Sequence, residues 1–157
     1  MVHAQHPTAD RYLNRESTGF PLLAVLSAIG AGLAFAGVGM ATRSLGGNPA
    51  GMVAGAVVML TAGISLLAPA TRAISLLLTW NGLGIAIGIL VVGIFSVGAL
   101  MAFPLALIAI ALSSWPRKAG ESVASGPAIV VQVSGFLLVL ALYGVLDDPT
   151  SWLTGLW

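Results

Sequence analysis

The sequence predicts an all-α fold: a polytopic transmembrane helical bundle with five spans, the N-terminus inside and the C-terminus outside. Three observations carry this. Hydrophobic residues make up 58% of the 157 residues and charged residues only 7%, against about 25% charged in ordinary soluble domains. A chain of 15.9 kDa with mean hydropathy +1.03 encloses too little volume to hide that much apolar surface from water. The same apolar excess excludes intrinsic disorder, which needs low hydrophobicity. Finally, the apolar residues gather into uncharged stretches long enough to cross a bilayer, a job that takes about 20 residues.

The first span, about 21–41, follows the polar segment 10–18. The second, about 50–68, opens at the turn sequence Gly46-Gly47-Asn48-Pro49, a loop signal in composition. The next uncharged run, 73–115, is too long for one crossing. As a single helix it would reach roughly 64 Å at about 1.5 Å per residue, about twice the hydrocarbon thickness. It must fold back, and Gly93, Ser96 and Gly98 bracket the best turn. The run therefore reads as spans 74–94 and 97–114 joined by a tight hairpin; a re-entrant hairpin that does not fully cross is the alternative. The last span, about 126–146, is closed by Asp147-Asp148-Pro149. Residues 1–20 form a polar cytoplasmic tail and residues 147–157 an external amphipathic tail.

Orientation follows from the basic residues, which concentrate on the cytoplasmic side. With five spans, Arg11, Arg15, Arg72, Arg117 and Lys118 share the N-terminal side, and Arg43 stands alone on the other. Trp115, Tyr143 and Trp152 fall near predicted boundaries, where an aromatic belt sits. The segment Gly93-Ile94-Phe95-Ser96-Val97-Gly98, followed by apolar residues and Pro104, resembles many small bacterial membrane proteins. That resemblance implies the plasma membrane, the inner membrane of a bacterium, as the location. Pro104 is expected to kink the fourth span, because proline removes a helical hydrogen bond.

Helices in lipid associate through small residues that let backbones approach. Gly32 in the first span, Gly51 and Gly55 in the second, Gly84 and Gly88 in the third and Gly98 at the fourth are the candidate packing positions. Such seams serve packing within one chain or contact between copies.

The charges bound the chemistry. Six basic and five acidic residues give a net charge of +1, and no basic stripe tracks a phosphate backbone, so nucleic acid is not an expected partner. There is no Cys, and His3 and His6 lie in the polar tail. No ionisable residue falls inside any of the five spans, where such groups usually mark function. An intramembrane metal site, a buried haem and a membrane-embedded protease all lack their ligands or catalytic groups. No catalytic residue, metal site or cofactor is therefore assigned.

What remains is neutral. Trp80-Asn81-Gly82-Leu83-Gly84 is the most unusual feature, because an amide inside a span must find a partner. That partner is a neighbouring helix, through Gln132 or Ser134, or else a ligand. Asn81, Trp80, Ser96 and Gln132 are accordingly the candidate ligand-binding positions. The leading functional expectation is a non-catalytic structural or accessory subunit whose partners are the lipid bilayer and either copies of itself or a larger membrane complex. The alternative is a channel or transporter for a neutral or weakly charged small solute, with Asn81, Ser96 and Pro104 near its path. A third is an enzyme using surface acids such as Asp147 and Asp148.

Overall fold

The computed structural model describes residues 21–93, 98–115 and 126–145. Among them the structure is entirely helical. It comprises α1 (Leu22–Ser44), α2 (Ala50–Ser65), α3 (Arg72–Val92), α4 (Ala102–Ser113) and α5 (Gly126–Leu142), with 3-10 turns at Pro69–Thr71 and Gly98–Met101. The tails, the loop before α5 and the hairpin residues 94–97 lie outside the described residues.

Local chemistry explains the helix ends. Pro21 and Pro49 stand just before α1 and α2, and Pro69 opens the first 3-10 turn. A helix start leaves N–H groups unpaired, so a residue without one costs nothing there. Two ends close on left-handed glycines. Gly46 (φ +80°) and Gly144 (φ +70°) follow α1 and α5. After α1, the Gly46 N–H donates to the Arg43 carbonyl and the Gly47 N–H to Thr42; after α5, Gly144 donates to Ala141 and Val145 to Leu140. These paired bonds satisfy the last carbonyls and need a residue without Cβ at the turn.

Close contacts fix the helix directions. Gly32 meets Leu60, Gly39 meets Met52 and Gly63 meets Ile29, so α1 and α2 run antiparallel. Gly51 meets Ile89, and Gly82 meets Met59, so α2 and α3 are antiparallel as well. Gly84 meets Gln132 and Gly88 meets Val139, which makes α3 and α5 parallel. Trp115, after α4, packs with Ala24 and Val25 at the start of α1, while Gly30 further along α1 touches Leu107. Hence α4 opposes α1, and each helix reverses the direction of the one before it.

Helices α1, α2, α3 and α4 close into a ring, each packed on the next and α4 back on α1. Its core is Ala28, Phe35, Met52, Met59, Ile85, Ile89, Met101 and Ile108, joined by Val139 from α5. Helix α5 lies outside the ring, against α3 with a minor contact to α2. The outer surface is apolar as well: Met40 is 71% exposed, Phe103 64% and Val130 69%. Apolar residues on both sides of a helix are the pattern of a deeply buried or membrane-spanning one. Two helices, Leu22–Ser44 and Pro69–Val92, are long and apolar enough to cross a membrane; three shorter apolar helices accompany them.

Two boundaries shift. Helix α1 runs on to Ser44, so Arg43 lies in its last turn, where a cation suits the helix dipole. The fourth helical segment starts as a 3-10 turn that runs directly into α4, with Pro104 third in the α-helical part.

The hairpin is tight at its described ends: the Gly98 N–H donates to the Gly93 carbonyl at 2.6 Å. A Cβ on Gly84 would overlap the Gln132 carbonyl oxygen, whereas one on Gly37 would meet nothing. Gly84→Ala is expected to destabilise the fold by about 1–3 kcal/mol through overpacking against backbone. Gly37→Ala is expected to be neutral or to stabilise by up to about 1 kcal/mol through helix propensity. Thermal unfolding of the two purified variants in one detergent checks the contrast.

Candidate functional site

Polar chemistry in this molecule collects where α3 crosses α5. The crossing is made by two glycines facing opposite ways. Gly84 of α3 admits the Gln132 carbonyl of α5, and Gly135 of α5 admits the Asn81 carbonyl of α3. In each case the space a Cβ would need is taken by the other helix's backbone. A glycine on only one helix would not permit this reciprocal approach.

Asn81 sits beside this crossing. Its Nδ2 donates to the Val131 carbonyl at 2.9 Å and lies 3.2 Å from Ser134 Oγ. Ser134 Oγ itself donates to the Val131 carbonyl at 2.7 Å. The amide thus joins α3 to α5 through a carbonyl and a hydroxyl of one turn. Of the two partners considered for Asn81, Ser134 takes the bond and Gln132 does not. Trp80 is half-buried on the neighbouring position of α3. Ser96 lies outside the described residues. Gln132 lines a crevice of about 210 Å³ with Gly84, Ile87, Val133 and Phe136. The structure therefore brings Asn81 and Gln132 to one crossing but gives them separate surroundings.

The six packing glycines all meet another element of the same chain. Gly32 abuts Leu60, Gly55 the Phe35 ring, Gly51 both Ile89 and Tyr143, Gly84 Gln132, Gly88 Val139, and Gly98 the Gly93 carbonyl.

Other polar side chains turn onto backbone. Ser75 is fully buried and donates across to the Ala62 carbonyl of α2 at 2.5 Å. Thr79 donates to Ser75, Thr61 to Val57 and Thr42 to Val38, each one turn back on its own helix. This back-bonding satisfies a hydroxyl in apolar surroundings without any outside partner. Among the described residues, the only buried side-chain nitrogen or oxygen left without a hydrogen bond is Nε of Arg72, at the very start of α3. No cluster of His, Cys, Asp or Glu with the makings of a metal site occurs among the described residues. Asp147 and Asp148 lie outside them.

A second joint ties α5 down at its far end. The Tyr143 hydroxyl donates to the Asn48 carbonyl at 3.0 Å, with Met52 Sδ 3.2 Å away. Asn48 returns a long bond from Nδ2 to the Leu142 carbonyl at 3.4 Å, and its Oδ1 accepts from the Ala50 N–H that opens α2. Sequence reasoning reads Tyr143 as part of an aromatic belt and Asn48 as a turn residue. The available signal was Asn-Pro ahead of a helix, an Asx cap that leaves the Asn carbonyl available to a distant donor.

Asn81→Ala removes the bridge at α3 and α5 and is expected to cost about 1 kcal/mol, the scale of interhelical hydrogen bonds in membranes. Ser134→Ala is expected to cost less, because Ser134 also bonds within its own helix. Unfolding midpoints of both variants, measured alongside the unaltered chain, check the order.

No protein-family model, curated protein or solved structure matches this chain, so no relative's activity carries over to it.

Proposed function

We propose that this chain is an integral membrane protein of five spans, N-terminus in and C-terminus out, in the bacterial inner membrane. Its role is structural or accessory: it associates with itself or joins a larger membrane complex, and it performs no chemistry inside the membrane. The observation that carries this is where the polar groups point. Asn81 is bonded between α3 and α5, Ser75 between α2 and α3, and the threonines back onto their own helices. Groups spent on internal bonds do not line a path or bind a substrate. The outward faces carry leucine, valine, methionine and phenylalanine, which suit lipid or another apolar helix.

The alternation of helix direction supports the five-span reading, since successive spans must reverse. Helices α2 and α5, of 16 and 17 residues, extend about 24–26 Å at 1.5 Å per residue, at the lower limit for a span; the 12 residues of α4 reach about 18 Å and approach that limit only with the four-residue 3-10 turn before them, at about 2 Å per residue. The alternative of a solute path through Asn81 finds less support. The crevice near the crossing has Gln132 as its one polar side chain, and Asn81 does not line it.

The test is the mass of the full chain extracted with its native lipids. A particle containing two or more copies, or one copy with a stoichiometric membrane partner, is the expected result. A single 15.9 kDa chain alone in lipid at every concentration would contradict the proposal.

A further inference from the structure

We infer that Arg72 holds the phosphate of an anionic phospholipid at the cytoplasmic end of the bundle. The inference rests on the membrane reading above and adds the class of lipid and the residue that binds it.

The starting point is a cation without a counter-charge. Nε of Arg72 is buried and has no hydrogen bond. None of the five acidic residues falls among the described residues, so no described carboxylate faces it. A guanidinium keeps its proton in a protein, and therefore cannot relieve the cost of burial by neutralising, as a lysine can. A charge partly removed from water gains more from an anion than a fully hydrated one does, because the local dielectric is lower.

The open part of the group decides what reaches it. Arg72 as a whole is only partly buried, and Nε is its one side-chain nitrogen that is both enclosed and unbonded. The two Nη nitrogens are the approachable edge, and they carry the same delocalised charge. Their N–H groups form a fork that fits two oxygens of a phosphate. Arg43, the other arginine among the described residues, is exposed in the last turn of α1, where water and the helix's negative end balance it.

The backbone beside Arg72 favours the same ligand charge. Thr71 stands at the N-cap of α3 but makes no side-chain cap bond to the helix. Its hydroxyl turns instead to the carbonyls of Ser65 and Ala68. No acidic residue occupies the first turn. The positive end of the helix dipole thus adds to the orphaned guanidinium on the first residue of α3.

Depth and surroundings name the source of the phosphate. Ala24 and Val25 at the start of α1, Leu66 after α2 and Trp115 after α4 cluster at one end of the bundle, with Leu76 packed on them. Arg72 lies one turn outward of Leu76. Next to an aromatic residue at a span boundary, that is headgroup level in the proposed membrane, and the cytoplasmic leaflet supplies net negative lipids there. Leu67 and Ile74, on either side of Arg72 in the chain, are 52% and 55% exposed. They offer acyl chains a surface that free phosphate does not use.

The experiment uses the full chain in a sugar-headed detergent, which contains no phosphate, with thermal unfolding as the readout. Added phosphatidylglycerol is expected to raise the midpoint by roughly 3–6 °C. Phosphatidylcholine, whose own ammonium balances its phosphate, is expected to raise it less, and inorganic phosphate not at all. Arg72→Gln is expected to require about tenfold more phosphatidylglycerol for the same rise. Arg72→Lys keeps the charge without the fork and is expected to retain part of the effect. Arg43→Gln makes the same charge change at the opposite end and is expected to retain all of it. Without lipid, Arg72→Gln is expected to unfold no earlier than the unaltered chain, since it removes an uncompensated charge. Earlier unfolding there places the counter-charge within the chain and overturns the inference. An undiminished phosphatidylglycerol effect in Arg72→Gln overturns it as well. An equal rise with inorganic phosphate overturns the lipid and assigns the site to a soluble phosphate. Failure of the full chain to incorporate into lipid vesicles overturns the membrane reading beneath; incorporation without a phosphatidylglycerol effect overturns this inference alone.

Discussion

The fold depends on how closely other helices approach α3. In the membrane setting proposed above, packing strength comes from van der Waals contact and short polar bonds, because no water is released to drive helices together. Three glycines on α3 permit that contact in two directions. Gly82 receives Met59 from α2, while Gly84 and Gly88 receive Gln132 and Val139 from α5. Methyl groups at these positions would hold both neighbours off. With α2 and α5 held away, Ser75 would lose the Ala62 carbonyl, and Asn81 would lose the Val131 carbonyl that it reaches at 2.9 Å. The polar bonds are therefore consequences of the close packing as well as reinforcements of it.

That dependence links packing to the proposed role. A hydroxyl or amide spent on a neighbouring helix fastens the bundle. The ring of α1 to α4 is finished in this sense, with Phe35, Met52, Met59 and Ile85 filling it. Helix α5 is less finished. It is fastened to α3 by Asn81 and to the start of α2 by the Tyr143–Asn48 bond, yet most of its own surface stays uncovered.

Much of this was legible in the residues. Apolar length marked the helices, and Gly46-Gly47-Asn48-Pro49 marked the turn between the first two, because those residue types act locally; the run of α1 on to Ser44 was not legible, since Arg43 reads as loop in a hydropathy pattern. The need for folding back within 73–115 came from length alone. The glycines at 32, 51, 55, 84 and 88 were legible as close-approach positions, since only the smallest residue permits such approach. Their partners were not legible, because a four-residue spacing is the same whether the facing helix comes from this chain or another. Asn81 advertised a need for a partner, but choosing Ser134 over Gln132 depended on a rotation of α5 that Gly135 sets. The Asn48–Tyr143 bond joins residues 95 positions apart, and no local pattern carries that. The 3-10 start of the fourth segment was not legible, because a uniform apolar run hides where the α-helix begins.

The most direct measurement is an engineered disulfide across the α3–α5 contact in membranes holding the chain. A Cβ on Gly88 would lie 2.9 Å from Val139 Cβ, slightly inside the roughly 3.5–4.5 Å of a disulfide, so a small outward shift of α5 suffices. With no native Cys, Gly88→Cys combined with Val139→Cys has one bond to form. The account predicts rapid oxidation within a single chain, seen as an intact-mass loss of two hydrogens with no rise in chain number. Failure to oxidise, or bonds formed only between chains, would contradict the docking of α5 on its own α3.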